Sequence, residues 1–160
     1  MASYAITGAT GGIGFELVRQ LVELPSSQVG KVFAISRGKS SESLSEILSK
    51  NPGRVFSINA TLDDNASVQA AATEVESKLG GQGLDVLINN AGISKNASGG
   101  IANMDEDQLT SVFDVNVVGV QRMTSAFIHL LERGQQKKVI NISTTLGEPL
   151  CCSVKSPVVV

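Results

Sequence analysis

The segment Thr7-Gly8-Ala9-Thr10-Gly11-Gly12-Ile13-Gly14 constrains this chain more than any other. It follows at once on a short β-forming run, Tyr4-Ala5-Ile6-Thr7. It leads into an amphipathic helix with Ile13, Leu17, Val18 and Leu21 at helical spacing, which stops before Pro25. A strand that turns through glycines into a helix is the opening of a βαβ unit. Glycines let the backbone turn tightly and approach a pyrophosphate, and the helix behind them offers free N–H groups and a positive dipole end to that anion. The alternative is a tight βα turn that binds nothing.

The same alternation continues. Val32–Ile35 reads as a second strand, and the SSESLSEILSK segment carries a small helix with Leu44, Ile47 and Leu48 on one side. Val55–Ile58 is a third strand, and the next helix has Val68, Ala71, Ala72, Val75 and Leu79 on one stripe, with Asp64 or Asn65 as its cap. Leu84–Ile88 is a fourth strand. After a Gly/Ser-rich loop at 94–100, a long helical stretch runs from about Asp105 to Arg133, stopped by Gly134, and Val139–Ile142 is a fifth strand. Strands alternating with helices predict an α/β fold with a doubly wound parallel sheet and right-handed crossovers. No repeat and no interior linker divides the chain.

Composition narrows the classes. Lys plus Arg is 13 and Asp plus Glu is 15, a formal charge of −2, which argues against a nucleic-acid binder or a polybasic membrane protein. The chain has 160 residues, the size of one domain, and its hydrophobic fraction of 42% supplies a core. Residues 1–8 lack the features of a signal peptide, and no stretch approaches a membrane span. Cys151 and Cys152 are adjacent and make no disulfide framework, so a cytoplasmic location is expected.

The spacing Gly8-x-x-x-Gly12-x-Gly14 is not the G-x-G-x-x-G fingerprint. With Thr7 before it, it resembles the TGxxxGxG motif of the short-chain dehydrogenase/reductase family. Asn89-Asn90-Ala91-Gly92 is similar to that family's NNAG, and Asn116 within FDVNVVGV and Ser143 within KVINIS follow in the family's order. The resemblance runs from residue 3 to about 147. It implies a Rossmann-like sheet in the order 3-2-1-4-5 and a dinucleotide site formed by Gly8, Thr10, Gly11, Gly12, Ile13, Gly14, Asn90, Ala91 and Gly92. It makes residues 1–147 an incomplete family domain, truncated relative to intact members, and 148–160 an irregular tail outside the family pattern.

The end of the second strand bears on the cofactor. A carboxylate there would bind a ribose 2′-OH, whereas a cation accommodates a 2′-phosphate. The sequence reads Ile35-Ser36-Arg37-Gly38-Lys39, with no acid, so Ser36 and Arg37 favour NADP(H) over NAD(H). The alternative is a solvated arginine at a strand end. Thr61 stands where the family often carries an Asp near the adenine; Asp63 and Asp64 are read as helix-capping residues.

Asn116 lies four residues from both Val112 and Val120, on a stripe that includes Leu109, Phe113, Met123, Phe127, Leu130 and Leu131. That position predicts a buried amide in need of hydrogen-bond partners. Either neighbouring backbone satisfies it, or it takes the role the resemblance implies, in the catalytic set and holding a water in a proton relay. The resemblance also implies a catalytic hydroxyl after the fifth strand. Aligned on Gly147 it is Thr144, with Ser143 the alternative one residue earlier.

The family's general acid, the Tyr of a Tyr-x-x-x-Lys motif, has no counterpart in these 160 residues. The single tyrosine is Tyr4, in the first strand, and Cys151 stands four residues before Lys155. His129, expected on the outer face of the long helix, is a poor substitute acid. Two functions remain open. One is an NADP(H)-dependent oxidoreductase acting on an unidentified small carbonyl or alcohol. The other is a dinucleotide-binding module without chemistry, pairing with a full-length relative or as a homo-oligomer through the long helix. A methyltransferase-like nucleotide binder fits the second motif and Asn116 less well.

Overall fold

Parallel strands covered on both faces read as unbroken apolar runs, and Val29–Ser36 is the clearest case here, with five consecutive buried residues at its end. The computed structural model describes residues 1–95, 103 and 105–143. Five parallel strands form one sheet in the order β3-β2-β1-β4-β5: β1 Ala2–Thr7, β2 Val29–Ser36, β3 Val55–Asn59, β4 Val86–Asn89 and β5 Lys138–Asn141. The helices are α1 Gly12–Glu23, α2 Glu42–Lys50, α3 Asn65–Leu79, α4 Glu106–Phe113 and α5 Gly119–Arg133. The expected strand order and fold class are those observed. Thr144 and the tail 148–160 lie outside the described residues, as do residues 96–100 of the Gly/Ser-rich loop.

The two-residue period of the strands divides the core in two. Ala5, Phe33, Ile35, Ile58 and Leu87 face α3 and α5, meeting Val68, Ala72 and Val75 from one and Met123, Phe127 and Leu130 from the other. Ile6, Val32, Ala34, Val86 and Ile88 face the opposite way, toward Val18 of α1 and Leu44 of α2. Met123, Phe127, Leu130 and Leu131 are essentially shielded from water, each worth about 1.5–3 kcal/mol of transfer free energy.

The expected cap at Asp64 and stop at Gly134 are those observed. Asp64 caps α3 by accepting the Ala66 N–H at 2.9 Å, and left-handed Gly80 closes it. Gly134 ends α5 by close packing, in an extended conformation: a Cβ there would run into the Leu84 carbonyl.

Three expectations need correction. Ile13 is 60% exposed and is not part of the α1 core stripe. Leu109 and Phe113 are likewise exposed, at 53% and 58%. Asn116, expected to be buried, is exposed. The last two have one cause. The long helix is not uniform: a π-helical segment, Asp114–Val118, joins α4 to α5, with the Gly119 N–H bonding the Asp114 carbonyl. Five-residue bonding rotates everything before the segment out of phase with everything after it, so a single 3.6-residue stripe does not run through both halves.

β5 pairs with β4 along one edge, and all four of its residues are exposed. Among the described residues, no helix is long and apolar enough to cross a membrane.

Candidate cofactor site

The glycine loop works because it is tied to the end of β4. Thr7, the last residue of β1, is fully buried, and its hydroxyl oxygen accepts the N–H groups of Asn90 and Ala91, both at 2.9 Å. The Asn90 amide in turn donates to the Thr7 carbonyl at 2.8 Å. Gly8 takes φ +70°, and a Cβ there would sit 2.9 Å from the Ala91 Cα. Only glycine tolerates both the backbone and the contact. Gly14, on the first turn of α1, has no room either: a Cβ would meet the Gly8 carbonyl oxygen and the Asn90 amide. The other two glycines serve approach from outside. Around Gly11 and Gly12, nothing lies within 4 Å of where a side chain would project. α1 starts there with no side-chain cap and no acid in its first turn, so its positive end faces open space.

A cleft of about 400 Å³ runs along the carboxyl ends of the strands. Gly8, Thr10 and Gly11 form its middle. Ile35, Ser36 and Arg37 of β2 and Ala60, Leu62 and Asp63 after β3 form one end. Asn90, Ala91, Gly92 and Ile93 after β4, with Val115 of the π segment, form the other. The Ser36 hydroxyl is buried and has no hydrogen-bond partner. Arg37 is exposed beside it, and among the described residues its guanidinium makes no ion pair or hydrogen bond. A buried orphan hydroxyl next to an unpaired cation is a polar end in want of an anion.

Thus Gly8, Thr10, Gly11, Ser36, Arg37, Asn90, Ala91 and Gly92 come together on the cleft, while the other candidates among the described residues do not line it. Gly12 borders open space at the start of α1, and Gly14 shapes the loop from behind. Ile13 points to solvent. Thr61 does not line the cleft, and its backbone N–H donates to the Ser67 hydroxyl at 3.0 Å. Leu62 and Asp63 line the wall instead, so Asp64 caps α3 and Asp63 does not share that task. Asn116 spans the backbone of Ile93, accepting its N–H and donating to its carbonyl, each at 2.8 Å. Ser143 is exposed just past β5, whose end is pinned by the Ile142 N–H on the Asn89 carbonyl and by the Asn89 amide on Asn141. His129 sits on the outer side of α5, 3.7 Å from Glu76.

Thr7 was not a candidate, although the Thr-Gly step at the end of a strand was its signal. The arrangement can hold an extended anionic ligand: phosphate groups at the uncapped helix end, further negative charge at Arg37, and flat or apolar groups against Leu62 and Ile93.

The model of the short chain dehydrogenase family matches residues 3–153. The short-chain dehydrogenase/reductase AacuF of Aspergillus aculeatus is 36% identical over 155 residues, 93% of this chain and 56% of the relative. The NADPH-bound carbonyl reductase from chicken fatty liver superposes with a TM-score of 0.82 at 32% identity, over 92% of this chain and 58% of that one. The carbonyl reductase Sniffer of D. melanogaster also gives 0.82, at 26% identity, over 98% of this chain and 66% of that one. The chain thus spans 56% to 66% of the length of these relatives, and over that span its sheet order, glycine loop and Asn-Asn-Ala-Gly turn are those of one family: it belongs to the short-chain dehydrogenases.

Proposed function

We propose that these residues are the cofactor-binding part of an NADP(H)-dependent oxidoreductase that reduces a small carbonyl or oxidises the corresponding alcohol. The observation that carries the reading is the pair at the end of β2: unpaired Arg37 beside the orphaned, buried Ser36 hydroxyl. Both line the same end of the cleft, where the ribose of a dinucleotide would carry its 2′-phosphate. The fit extends along the cleft. Gly11, Gly12 and the first turn of α1 would hold the pyrophosphate, and Asn90, Ala91 and Gly92 would border the nicotinamide half. When bound, the dinucleotide supplies or accepts a hydride.

The residues of the chain do the rest. Asn116 fixes the backbone of Ile93 against that half and can hold a water there. Ser143 or Thr144 would offer a hydroxyl to the substrate oxygen. A proton donor of the Tyr-x-x-x-Lys kind is absent from these 160 residues, so the isolated chain is expected to bind the dinucleotide without turnover. Residues 1–147 act as one incomplete domain, and a cytoplasmic location suits the reading.

The test is titration of the chain with NADPH and NADH, followed by fluorescence. Saturable binding with NADPH at least tenfold tighter, lost in Arg37→Ser, supports the reading. Equal affinities would remove the NADP(H) preference, and no saturation with either would remove the function.

A second reading, pairing between copies through the long helix, draws on the exposed apolar residues Leu109, Phe113, Val117 and Ile128. Light scattering behind a sizing column decides it: a single monomeric mass at micromolar concentration would end it.

A further inference from the structure

The π-helical segment Asp114–Val118 lines one end of the cleft through Val115 and is linked to the walls at both ends. Toward one end, Asn116 holds Ile93. Toward the other, the residue that reaches across is Arg122, on the first turn of α5. Its guanidinium donates to the Leu62 carbonyl at 3.1 Å and to Asp114 Oδ1 at 2.9 Å. The Arg122 and Asp114 side chains are only 22% and 33% exposed, so water and salt screen this pair less than a surface one. Packing reinforces the contact. Gly119 brings the helix so close that a Cβ would stand 2.9 Å from the Leu62 Cβ and 3.3 Å from its carbonyl oxygen.

Leu62 and Asp63 are the part of the wall beyond β3 that sheet hydrogen bonds do not hold. The Ala60 N–H is still bonded to the Ser36 carbonyl, and the Thr61 N–H is taken by Ser67. Asp64 is committed to capping α3. Between them, the Leu62 carbonyl is fixed by Arg122. Yet Arg122 does not itself line the cleft.

The geometry points to Arg122 as a positioning residue for the dinucleotide: aimed by Asp114, it sets the Leu62–Asp63 wall against which the adenosine end is bound. The inference rests on the dinucleotide reading above. It identifies a second use of the π segment, in which one irregular turn holds the walls at both ends of the same site. The wide turn also sets Asp114 and Arg122 on a common side at a separation of eight residues.

The experiment compares the whole chain with Arg122→Met, Arg122→Lys and Asp114→Asn, using 2′,5′-ADP and NADPH as probes in calorimetric titrations, with melting curves of each variant alone. In Arg122→Met both dissociation constants should rise by the same factor, about tenfold, as expected when one charge-assisted hydrogen bond no longer holds the wall. Arg122→Lys, which keeps the charge but not the two-pronged geometry, should recover part of it. If Arg122→Met does not fold, Asp114→Asn carries the test, since it keeps the packing and removes only the charge that aims the guanidinium; it should show a smaller loss, equal for both probes. A lower melting midpoint with unchanged dissociation constants would make Arg122 merely structural and overturn the inference. So would a loss much larger for NADPH than for 2′,5′-ADP, since the effect would then act through the nicotinamide half. Failure of the unaltered chain to bind either probe would instead overturn the dinucleotide reading, and this assignment with it.

Discussion

Asp85 offers the sharpest test of how the sheet is held at the end opposite the cleft. Its carboxylate is 5% exposed and accepts four hydrogen bonds. One oxygen takes the Ser3 N–H at 2.8 Å and the Ser3 hydroxyl at 3.2 Å; the other takes the N–H groups of Gln135 and Gln136 at 2.7 and 3.1 Å. One side chain thus joins β1 to the α5–β5 connection. In Asp85→Asn one acceptor oxygen becomes an amide donor. The amide will turn its oxygen to the buried donors of Ser3 and its NH₂ to Gln135 and Gln136, which are exposed, so water can partly replace the lost acceptor. Two buried losses would cost about 2–6 kcal/mol, and with this compensation the expected loss is about 2 kcal/mol. That is a large part of a stability of about 5–15 kcal/mol. Urea unfolding at pH 7, followed by circular dichroism, measures it.

The pH dependence gives the same prediction a second edge. Burial pushes the Asp85 carboxyl up, but the N–H groups of Ser3, Gln135 and Gln136 and the Ser3 hydroxyl outweigh it and hold the carboxyl below its ordinary value. A carboxylate depressed in the folded state contributes its full stabilisation above the unfolded value, near pH ~4, and loses it as pH falls through the folded one. The gap between the unaltered chain and Asp85→Asn should therefore be flat from neutrality down to about pH 5 and close below about pH 4. A gap under about 0.5 kcal/mol at pH 7, or one of the same size at both ends of the range, would refute the reasoning.

Two further outcomes follow from the loop. Thr7→Val keeps the shape but leaves the N–H groups of Asn90 and Ala91 without their acceptor, so it should cost about 2–4 kcal/mol in chemical unfolding, and Thr7→Ser should recover most of that. Gly14→Ala drives a methyl group into the Gly8 carbonyl and the Asn90 amide, so it should cost about 1–3 kcal/mol and weaken NADPH binding in the same fluorescence titration; a variant that melts and binds like the parent would show that the loop and helix can separate freely.

What was legible in the sequence was whatever is local. The strand, glycine turn and helix at 4–21, the cap at Asp64 and the stop at Gly134 each announce themselves in residues close together in the chain and each is found at its expected place, although the contacts that fix Gly8, Gly14 and Gly134 reach Asn90, Ala91 and Leu84. The charge at the β2 end is a local fact of the same kind, since Arg37 follows the strand and no acid accompanies it; the cofactor preference drawn from it is what the NADPH and NADH titrations decide. The stripe through Asn116 failed for a reason equally physical. Spacing arithmetic assumes a constant period, and nothing in Asp114-Val115-Asn116-Val117-Val118 announces the wider turn that displaces Leu109, Phe113 and Asn116 from the core side.

The residues that escaped detection share one property: each acts on a partner far away along the chain. Thr7 meets Asn90 and Ala91, Ser3 meets Asp85, and Arg122 meets Leu62, with separations of 83, 84, 82 and 60 residues. A hydrophobic pattern survives such distances because burial needs only a face, and any apolar neighbour will fill it. A hydrogen bond needs one donor and one acceptor in register, which exists only once the sheet order β3-β2-β1-β4-β5 has set β1 beside β4 and laid the helices over them. The same reasoning explains why the cleft's walls are built this way. Its lining includes Gly8, Gly11, Gly92 and the turns after β3 and β4, whose backbone cannot choose its own position. Polar side chains one layer back, Thr7 for the β4 turn, Asn116 for Ile93 and Arg122 for Leu62, hold that backbone in place. Substitutions in this supporting layer should therefore alter binding as much as changes to the lining itself.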